Sequence, residues 1–261
     1  MAVASQCHGS LAKGDVVWRQ ISIEEQTMKP NILLLPGLLD DASLFAEQIT
    51  VLSTLASVEV GDLSTAETIA GMAVDVLKAT SARRFVLVGL SLGGYVAFEI
   101  IRQAPERVAG LVLLDTSARP DSDEARAKRE ELIALAETDL DAVTEQLLPR
   151  LSHPERMNLP AVRGVIQSMA RSLGKEVFIR QQRAIMARPD SRPTLADIDC
   201  PTLVICGRED LITPPELASE MAAGIRHAEL RIVEQCGHLS TLDQPEEVSR
   251  VLLDWVKGNK F

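Results

Sequence analysis

Residues 85–99 read Phe-Val-Leu-Val-Gly-Leu-Ser-Leu-Gly-Gly-Tyr-Val-Ala-Phe-Glu, and this stretch decides the fold. Its first four residues suit a buried strand, a Gly-x-Ser-x-Gly turn follows at 89–93, and the apolar spacing then becomes helical. Gly89 and Gly93 have no Cβ, which lets a very sharp turn close and brings the helix near the sheet. The stretch predicts that the Ser91 hydroxyl stands above a sheet at the start of a helix.

Short apolar runs of the same kind recur, and most are followed by a helical pattern. The predicted strands are Ile32–Leu35, Ser57–Val60, Phe85–Val88, Leu111–Leu114, Thr202–Cys206 and Glu229–Val233. The predicted helices lie near 41–55, 65–80, 92–104, 214–223 and 244–257. This alternation predicts an α/β fold, with a mostly parallel, doubly wound sheet that helices cover on both faces.

The alternation is interrupted once. Residues 117–195 show no strand pattern, only charged helical sequence bracketed by Pro120, Pro189 and Pro193. We therefore expect an α/β core formed by residues 28–116 and 196–261, with 117–195 inserted between two strands as a helical cap.

The first 27 residues do not fit this pattern. Residues 16–24 are a candidate strand, but Met28 directly precedes the first convincing strand and is a candidate start of the working chain. We expect residues 1–27 to be a dispensable extension, because none of the catalytic candidates lies within them.

The composition favours one large core and excludes several classes of partner. The chain has 261 residues, is 46% hydrophobic and has a formal net charge of −10. No basic stripe is present to neutralise phosphates, so a nucleic acid partner is not expected. No run approaches the roughly 18 apolar residues that span a bilayer, and charges interrupt the N-terminal segment. We therefore expect no membrane partner, no signal peptide and a cytoplasmic location.

Neither the cysteines nor the histidines suggest a metal site. The cysteines, expected to be reduced thiols without metal-ligand spacing, are Cys7, Cys200, Cys206 and Cys236. The histidines are scattered, and those expected outside the site are His8, His153 and His227. The sequence predicts neither a metal nor an organic cofactor.

Two later segments can supply what a reactive serine needs. A serine hydroxyl requires a base, and the base requires an acid that orients it. Residues 202–210 read as a buried strand that ends in acids, and residues 234–238 place a histidine after another strand. Because residues beyond the carboxyl ends of parallel strands share one crevice, Ser91, Asp210 and His238 are expected to converge.

Three motifs in this order resemble those of the α/β-hydrolase superfamily. They are Gly89-Leu-Ser-Leu-Gly93, Gly207-Arg-Glu-Asp210 and Gly237-His238, with a helical insertion between the first two. The resemblance covers roughly residues 30–257 and looks closest to small carboxylesterases and enol-lactonases. It implies Ser91 as the nucleophile, His238 as the general base and Asp210 as the orienting acid.

The resemblance also implies an oxyanion hole made of backbone N–H groups. One donor would be the N–H of Leu92, which follows the nucleophile, and the second the N–H of Leu38, in the loop after the first strand. Many relatives have His-Gly in that loop, whereas this chain has Pro36 before the glycine. The donor belongs to the backbone, so the proline alters the support of the loop and not the donor itself.

Other carboxylates compete for the role of the acid. Glu209 directly precedes Asp210, and Asp115 ends the strand Leu111–Leu114. Asp40 and Asp41 follow the first strand and are expected to cap the next helix at its N-terminus.

The serine at position 91 of the Gly-x-Ser-x-Gly turn limits the classes of reaction that the chain could catalyse. Haloalkane dehalogenases and epoxide hydrolases of this superfamily have aspartate there, so the resemblance implies acyl transfer to water from a small ester or lactone substrate. C–C bond hydrolases and cofactor-free perhydrolases use the same triad and stay open as alternatives. A receptor-like binding protein on the same scaffold is the alternative of another class, although a binder needs neither a complete triad nor two oxyanion loops. The natural substrate and the oligomeric state do not follow from the sequence.

Overall fold

The computed structural model describes residues 29–261. The expected extension 1–27, its candidate strand and the candidate start Met28 lie outside the described residues. The strands are β1 (Asn31–Leu35), β2 (Ser57–Val60), β3 (Phe85–Leu90), β4 (Val108–Leu114), β5 (Thr202–Gly207) and β6 (Glu229–Val233). They form one parallel sheet in the order β2-β1-β3-β4-β5-β6.

Helices connect these strands. Those before the insertion are α1 (Ala46–Leu52), α2 (Ile69–Ala79) and α3 (Leu92–Gln103). Those of the insertion are α4 (Asp123–Ala136), α5 (Leu140–Leu151) and α6 (Pro160–Met186). Those that follow are α7 (Pro215–Gly224), α8 (Ser240–Asp243) and α9 (Pro245–Gly258). Short 3-10 helices lie at Ala42–Phe45, Pro105–Arg107 and Arg192–Asp197.

The predicted fold class is confirmed, and two central strands are longer than predicted. β3 continues to Leu90 and β4 begins at Val108. The two additional residues of β3, Gly89 and Leu90, belong to the Gly-x-Ser-x-Gly motif and still pair with β4 in the parallel ladder. The strand therefore ends immediately before Ser91.

Both faces of the sheet are buried, which explains the continuous apolar strands. In β1, Leu33 and Leu35 belong to a core cluster covered by α2, α3 and α7. Ile32 and Leu34 point to the opposite face, in a cluster that α1 and α9 cover. Helices thus lie on each side, as a doubly wound sheet requires.

A helical insertion separates β4 from β5. Within the described chain, residues 117–195 form helices and loops without a strand. α6 is broken at Gly174, whose φ of +80° is left-handed. Part of the insertion shares a small core with Leu39, which lies in the loop after β1, so the insertion packs against that loop.

The strand order places a crevice at the carboxyl ends of β1 and β3. From these two neighbours the chain winds outward in opposite directions, and ligands of open α/β sheets bind at such a switch point. The register pairs Leu35 with Gly89, so the loops that follow β1 and β3 begin side by side. None of the helices in residues 29–261 combines the length and the apolarity needed to cross a bilayer.

Candidate active site

Ser91 occupies a strained turn between β3 and α3. Its φ and ψ are 52° and −110°, a left-handed conformation that is unfavourable for a residue with a Cβ. The Ser91 N–H donates to the carbonyl of Leu114 at 3.0 Å, which fixes the turn to the neighbouring strand. A Cβ on Gly89 would lie 2.4 Å from the Gly93 carbonyl oxygen, and one on Gly93 would lie 2.1 Å from that of Leu35. Only glycine fits at these two positions.

His238 lies between the serine and a carboxylate. It follows β6, is only 2% exposed, and its Nε2 is 2.9 Å from Ser91 Oγ. Its Nδ1 is 2.9 and 3.0 Å from the two carboxylate oxygens of Asp210. The structure thus brings the three predicted residues into one hydrogen-bonded chain, buried at the His238 and Asp210 end.

Asp210 is held by the turn in which it lies. Its Oδ1 accepts the N–H groups of Ile212 and Thr213 at 2.8 and 2.9 Å. Its Oδ2 accepts the hydroxyl of Thr213 at 2.8 Å. Thr213 was not among the residues predicted from the sequence, although an aspartate whose side chain bonds the backbone two and three residues later is typical of turns.

The competing carboxylates hold loops and make no hydrogen bond to His238. Asp115 accepts the N–H of Gly207 at 3.0 Å and that of Ser240 at 3.2 Å, so it joins the loop before Asp210 to the residues after His238. Glu209 accepts the N–H of Cys236 at 2.9 Å. Both residues therefore support the two loops from which Asp210 and His238 project.

The ionisation of these groups follows from burial and charge. Burial alone would lower the pKa of His238, but the charge and hydrogen bond of Asp210, with the charges of Asp115 and Asp40, outweigh it and raise that pKa. Burial acts to raise the pKa of Asp210, but the imidazole and its hydrogen bonds hold that pKa below the ordinary range. Burial and the neighbouring Asp210 raise the pKa of Asp115 to about 7. His238 is thus a stronger base than an isolated histidine.

Two backbone N–H groups beside Ser91 are available to a ligand. Leu92 is the first residue of α3, where an N–H has no partner within the helix. Leu38 lies in the loop after β1 and lines the same cavity as Ser91. Within residues 29–261, neither N–H donates to a protein acceptor. The Leu38 N–H is therefore free to serve as the predicted second donor.

Gln181 of α6 fixes the loop that contains Leu38. Its Oε1 accepts the N–H of Leu39 at 2.8 Å, and its Nε2 donates to the carbonyl of Leu63 at 3.1 Å. Gln181 is 1% exposed, and Leu39 has a left-handed φ of 61°. A side chain of the insertion therefore holds the residue next to the candidate oxyanion donor.

We expect Gln181→Met to lower kcat roughly 10- to 100-fold with little change in KM, because a donor displaced by about 1 Å loses much of its effect in the transition state. Steady-state kinetics on a short-chain ester would measure this. Gln167→Met is the matched control, since Gln167 lies on the same helix and bonds Glu145 near the surface. A Gln181→Met protein with a lower melting temperature but an unchanged kcat would restrict Gln181 to a structural role.

Asp40 and Asp41 have different roles, which corrects the expectation that both cap a helix. Asp41 does so, accepting the N–H of Ser43 at 2.8 Å at the start of the short 3-10 helix. Asp40 instead is 8% exposed and lines the cavity together with Ser91 and His238. Burial raises the pKa of Asp40 to about 7, although the charge of His238 opposes this.

The hydroxyl of Ser91 opens into a cavity of about 430 Å³ between the sheet edge and the insertion. Leu132, Leu147 and Phe178 line it, one from each insertion helix. Other apolar residues of the insertion pack within the hydrophobic clusters and do not line the cavity: Leu135, Leu148, Val165 and Met169.

Within residues 29–261, the other histidines and cysteines make no side-chain hydrogen bond to Ser91, His238 or Asp210. His227 is exposed and His153 is half-buried, while His8 lies outside the described residues. Cys206 lies near Asp115 and Asp210, with ligand atoms within 4.8 Å of one another. Both carboxylates already accept hydrogen bonds, and burial raises the pKa of the Cys206 thiol, so this set does not fit a metal.

The chain is similar to known proteins in sequence and in fold. Residues 32–251 match the sequence profile described as "Alpha/beta hydrolase family". The solved structure of a thermophilic esterase from Thermogutta terrifontis, bound to malate, matches with a TM-score of 0.81 and 31% identity over 88% of this chain and 90% of that chain. The enol-lactonase of Burkholderia xenovorans LB400 matches with a TM-score of 0.79 and 25% identity, over 90% and 94% of the two chains. A proposed carbamate hydrolase of Serratia proteamaculans, RutD, is 25% identical over 249 residues, 89% of this chain and 93% of that protein.

Proposed function

The chain belongs to the α/β-hydrolase family, and we propose that within this family it is a serine hydrolase that cleaves a small carboxylic ester or lactone. The observation that carries the proposal is the hydrogen-bonded chain from Ser91 Oγ through His238 to Asp210, with distances of 2.9 Å on both sides of the imidazole. A nucleophile, a base and an orienting acid in this order are what acyl transfer to water requires. The similarity to an esterase and to an enol-lactonase supports the same class of bond.

The first half of the reaction forms an acyl-enzyme. The Ser91 hydroxyl gives its proton to His238 Nε2 while its oxygen bonds to the carbonyl carbon. The carbonyl oxygen becomes an oxyanion that accepts the N–H groups of Leu92 and Leu38. When the intermediate collapses, the C–O bond of the ester breaks and His238 returns the proton to the departing alkoxide.

Water completes the reaction by the same route. It gives a proton to His238 and adds its oxygen to the acyl carbon, and the bond to Ser91 Oγ then breaks. Ser91 regains the proton and the carboxylic acid leaves. Asp210 stays ionised throughout, because its four hydrogen-bond donors favour the carboxylate.

We further propose that residues 117–195 form a cap that sets substrate choice. Leu132, Leu147 and Phe178 of the insertion line the cavity into which Ser91 opens, and Gln181 joins the insertion to the loop of Leu38. These three apolar side chains form a part of the cavity wall that can select ligands by shape. The cap would thus act on both the binding of the substrate and the geometry of the oxyanion donors.

The test of this function combines turnover with labelling. We expect the protein to hydrolyse members of a panel of p-nitrophenyl esters and small lactones, and a fluorophosphonate to form an adduct that peptide mass spectrometry locates on Ser91. A folded protein that is neither labelled nor active on the panel would contradict the proposal and favour a receptor-like role. Labelling at Ser91 without turnover of any ester or lactone would contradict the proposed substrate class.

A further inference from the structure

The cavity above Ser91 is basic in a chain that is acidic. The whole chain has a formal net charge of −10. The basic side chains that line the cavity are Arg119, Lys128, Arg129, Arg150 and Arg188. The acidic ones are Asp40, Asp121 and Glu124. Arg119 is paired with Glu220 outside the lining at 2.9 Å, and the other basic side chains still outnumber the acidic ones. A concave site with an excess of one charge concentrates ligands of the opposite charge, so the lining favours an anion.

Two of these arginines share a single carboxylate in the interior. Arg129 Nε is 2.7 Å and Arg188 Nη1 is 2.6 Å from oxygens of Asp121, whose side chain is only 3% exposed. Burial acts to raise the pKa of Asp121, but the hydrogen bonds and charges of the two arginines outweigh it, so this pKa lies below the ordinary value. Arginine stays protonated. The three side chains therefore leave one positive charge without a counterion.

Gln182 adds a buried donor to this group. It is fully buried, and its Oε1 accepts Arg129 Nη1 at 2.7 Å. Its Nε2 has no hydrogen-bond partner in the described part of the chain, although Gln182 lines the cavity. Arg188 Nη2 likewise has no acceptor among residues 29–261. Because the buried Nε2 of Gln182 is left without an acceptor, an acceptor supplied by a ligand at this position would be bound favourably.

Arg188 and Ser91 line the same cavity. The guanidinium carbon of Arg188 is 4.2 Å from the centre of the Tyr95 ring, and Tyr95 also lines the cavity. Tyr95 follows Ser91 by one turn of α3, an axial distance of about 6 Å at 1.5 Å per residue. A ligand group beside Arg188 would therefore be separated from the carbonyl at Ser91 by a few bonds.

We propose that Arg129, Gln182 and Arg188, here called the basic cluster, bind a carboxylate on the substrate, so that the enzyme prefers an ester or lactone with a free carboxylate a few bonds from the scissile carbonyl. A carboxylate is planar, negatively charged and accepts several hydrogen bonds, which matches guanidinium and amide donors. The inference rests on the proposed ester or lactone hydrolysis and names its substrate class.

The first experiment compares matched esters. Monoethyl glutarate presents a carboxylate on the acyl side, and ethyl hexanoate is its neutral counterpart; 3-acetoxypropanoate and butyl acetate are the corresponding pair for the alcohol side. We expect kcat/KM to be roughly 10- to 100-fold higher for the anionic member of at least one pair, the effect of one or two charged hydrogen bonds. If the neutral esters are hydrolysed and neither pair shows this preference, the inference is wrong while the proposed function stands.

The second experiment changes the charge of the cluster. In Gln182→Glu, Arg129 keeps an oxygen acceptor, but the added carboxylate neutralises the unpaired positive charge and removes the free Nε2 donor. The ratio of kcat/KM between the anionic and the neutral ester should fall by roughly 10-fold or more. Gln146→Glu is the control, because Gln146 is exposed on α5 and does not line the cavity. An unchanged ratio in Gln182→Glu would mean that the cluster only fastens the insertion to the core.

A binding measurement keeps the inference testable without turnover. Free glutarate is titrated into the wild-type protein and into Gln146→Glu by calorimetry, and into Gln182→Glu if that variant folds. We expect glutarate to bind the first two proteins and to bind Gln182→Glu at least about 10-fold more weakly. No detectable binding of glutarate to wild-type protein at millimolar concentrations would overturn the carboxylate site. If no ester is hydrolysed and Ser91 is not labelled, the proposed function fails even where glutarate binds.

Discussion

The Ser91→Ala variant is expected to lose about 10⁶-fold in kcat, the loss seen when a triad that acts as a unit is deprived of its nucleophile. Ser91 Oγ is the atom that lies 2.9 Å from His238 Nε2. Without it no acyl-enzyme forms, and only binding and the oxyanion donors act on the substrate. Ester turnover, measured at a high enzyme concentration and corrected for the rate of background hydrolysis, would quantify the loss.

The stability of Ser91→Ala should change little. Alanine keeps the Cβ, so the strain of the left-handed turn is the same in both proteins, and a single hydrogen bond is lost. Ser117→Ala is the matched control, since Ser117 lines the same cavity and accepts the N–H of Arg119. We expect its kcat to stay within about tenfold of the wild type. Near wild-type turnover by Ser91→Ala would remove the covalent mechanism, and equal losses in both variants would point to general damage of the cavity.

The fold could be predicted because its signals are local. Each of the four inner strands is a short apolar run buried on both faces, and the register and order of a parallel sheet place the strand ends at one edge. Asp210 and His238 therefore converge on Ser91, although 147 positions separate Ser91 from His238. The motifs restrict the backbone as well, because other atoms approach positions 89 and 93 too closely for any residue that has a Cβ.

Contacts made by the insertion could not be predicted in the same way. Gln181 bonds the loop of Leu39 across 142 positions, and nothing in the local pattern of α6 distinguishes it from Gln182 beside it.

The cavity position of Asp40 was missed for a related reason. Both Asp40 and Asp41 precede a helix, and only the fold decides that Asp41 accepts the capping N–H and that Asp40 is buried in the cavity. Long-range packing, and not propensity, decides these positions.

Asp210→Asn is the second change with a large expected effect. In the wild type the carboxylate accepts Nδ1–H of His238, which leaves Nε2 unprotonated and able to accept the proton of Ser91. With asparagine, Oδ1 can still accept the N–H groups of Ile212 and Thr213, but the amide nitrogen would face His238 Nδ1. The imidazole would then be protonated at Nε2, and it could not act as the base. We expect kcat to fall by about 10⁴-fold.

The matched variant is Asp115→Asn, because both aspartates are buried and both lie at the carboxyl end of a strand. Asp115 accepts two backbone N–H groups, and asparagine can accept only one of them through its single oxygen. We expect Asp115→Asn to lower the free energy of unfolding by about 1–3 kcal/mol and to reduce kcat far less than Asp210→Asn does. Denaturant titration and steady-state kinetics on the same preparations would compare the two. The reverse ranking of the kcat values would assign the acid to Asp115.

The pH dependence separates loss of the charge from loss of the fold. Because Asp210 contributes to the raised pKa of His238, wild-type kcat/KM should rise with pH through a midpoint above the ordinary value of about 6.5, as the imidazole loses its proton. Removing the carboxylate charge should lower this pKa, so the residual activity of Asp210→Asn should rise at a lower pH. Asp115 makes no hydrogen bond to His238 and contributes less to its pKa than Asp210 does, so Asp115→Asn should move the midpoint by less. A midpoint that is unchanged in Asp210→Asn would mean that this carboxylate does not act on His238, whatever the size of the loss in kcat.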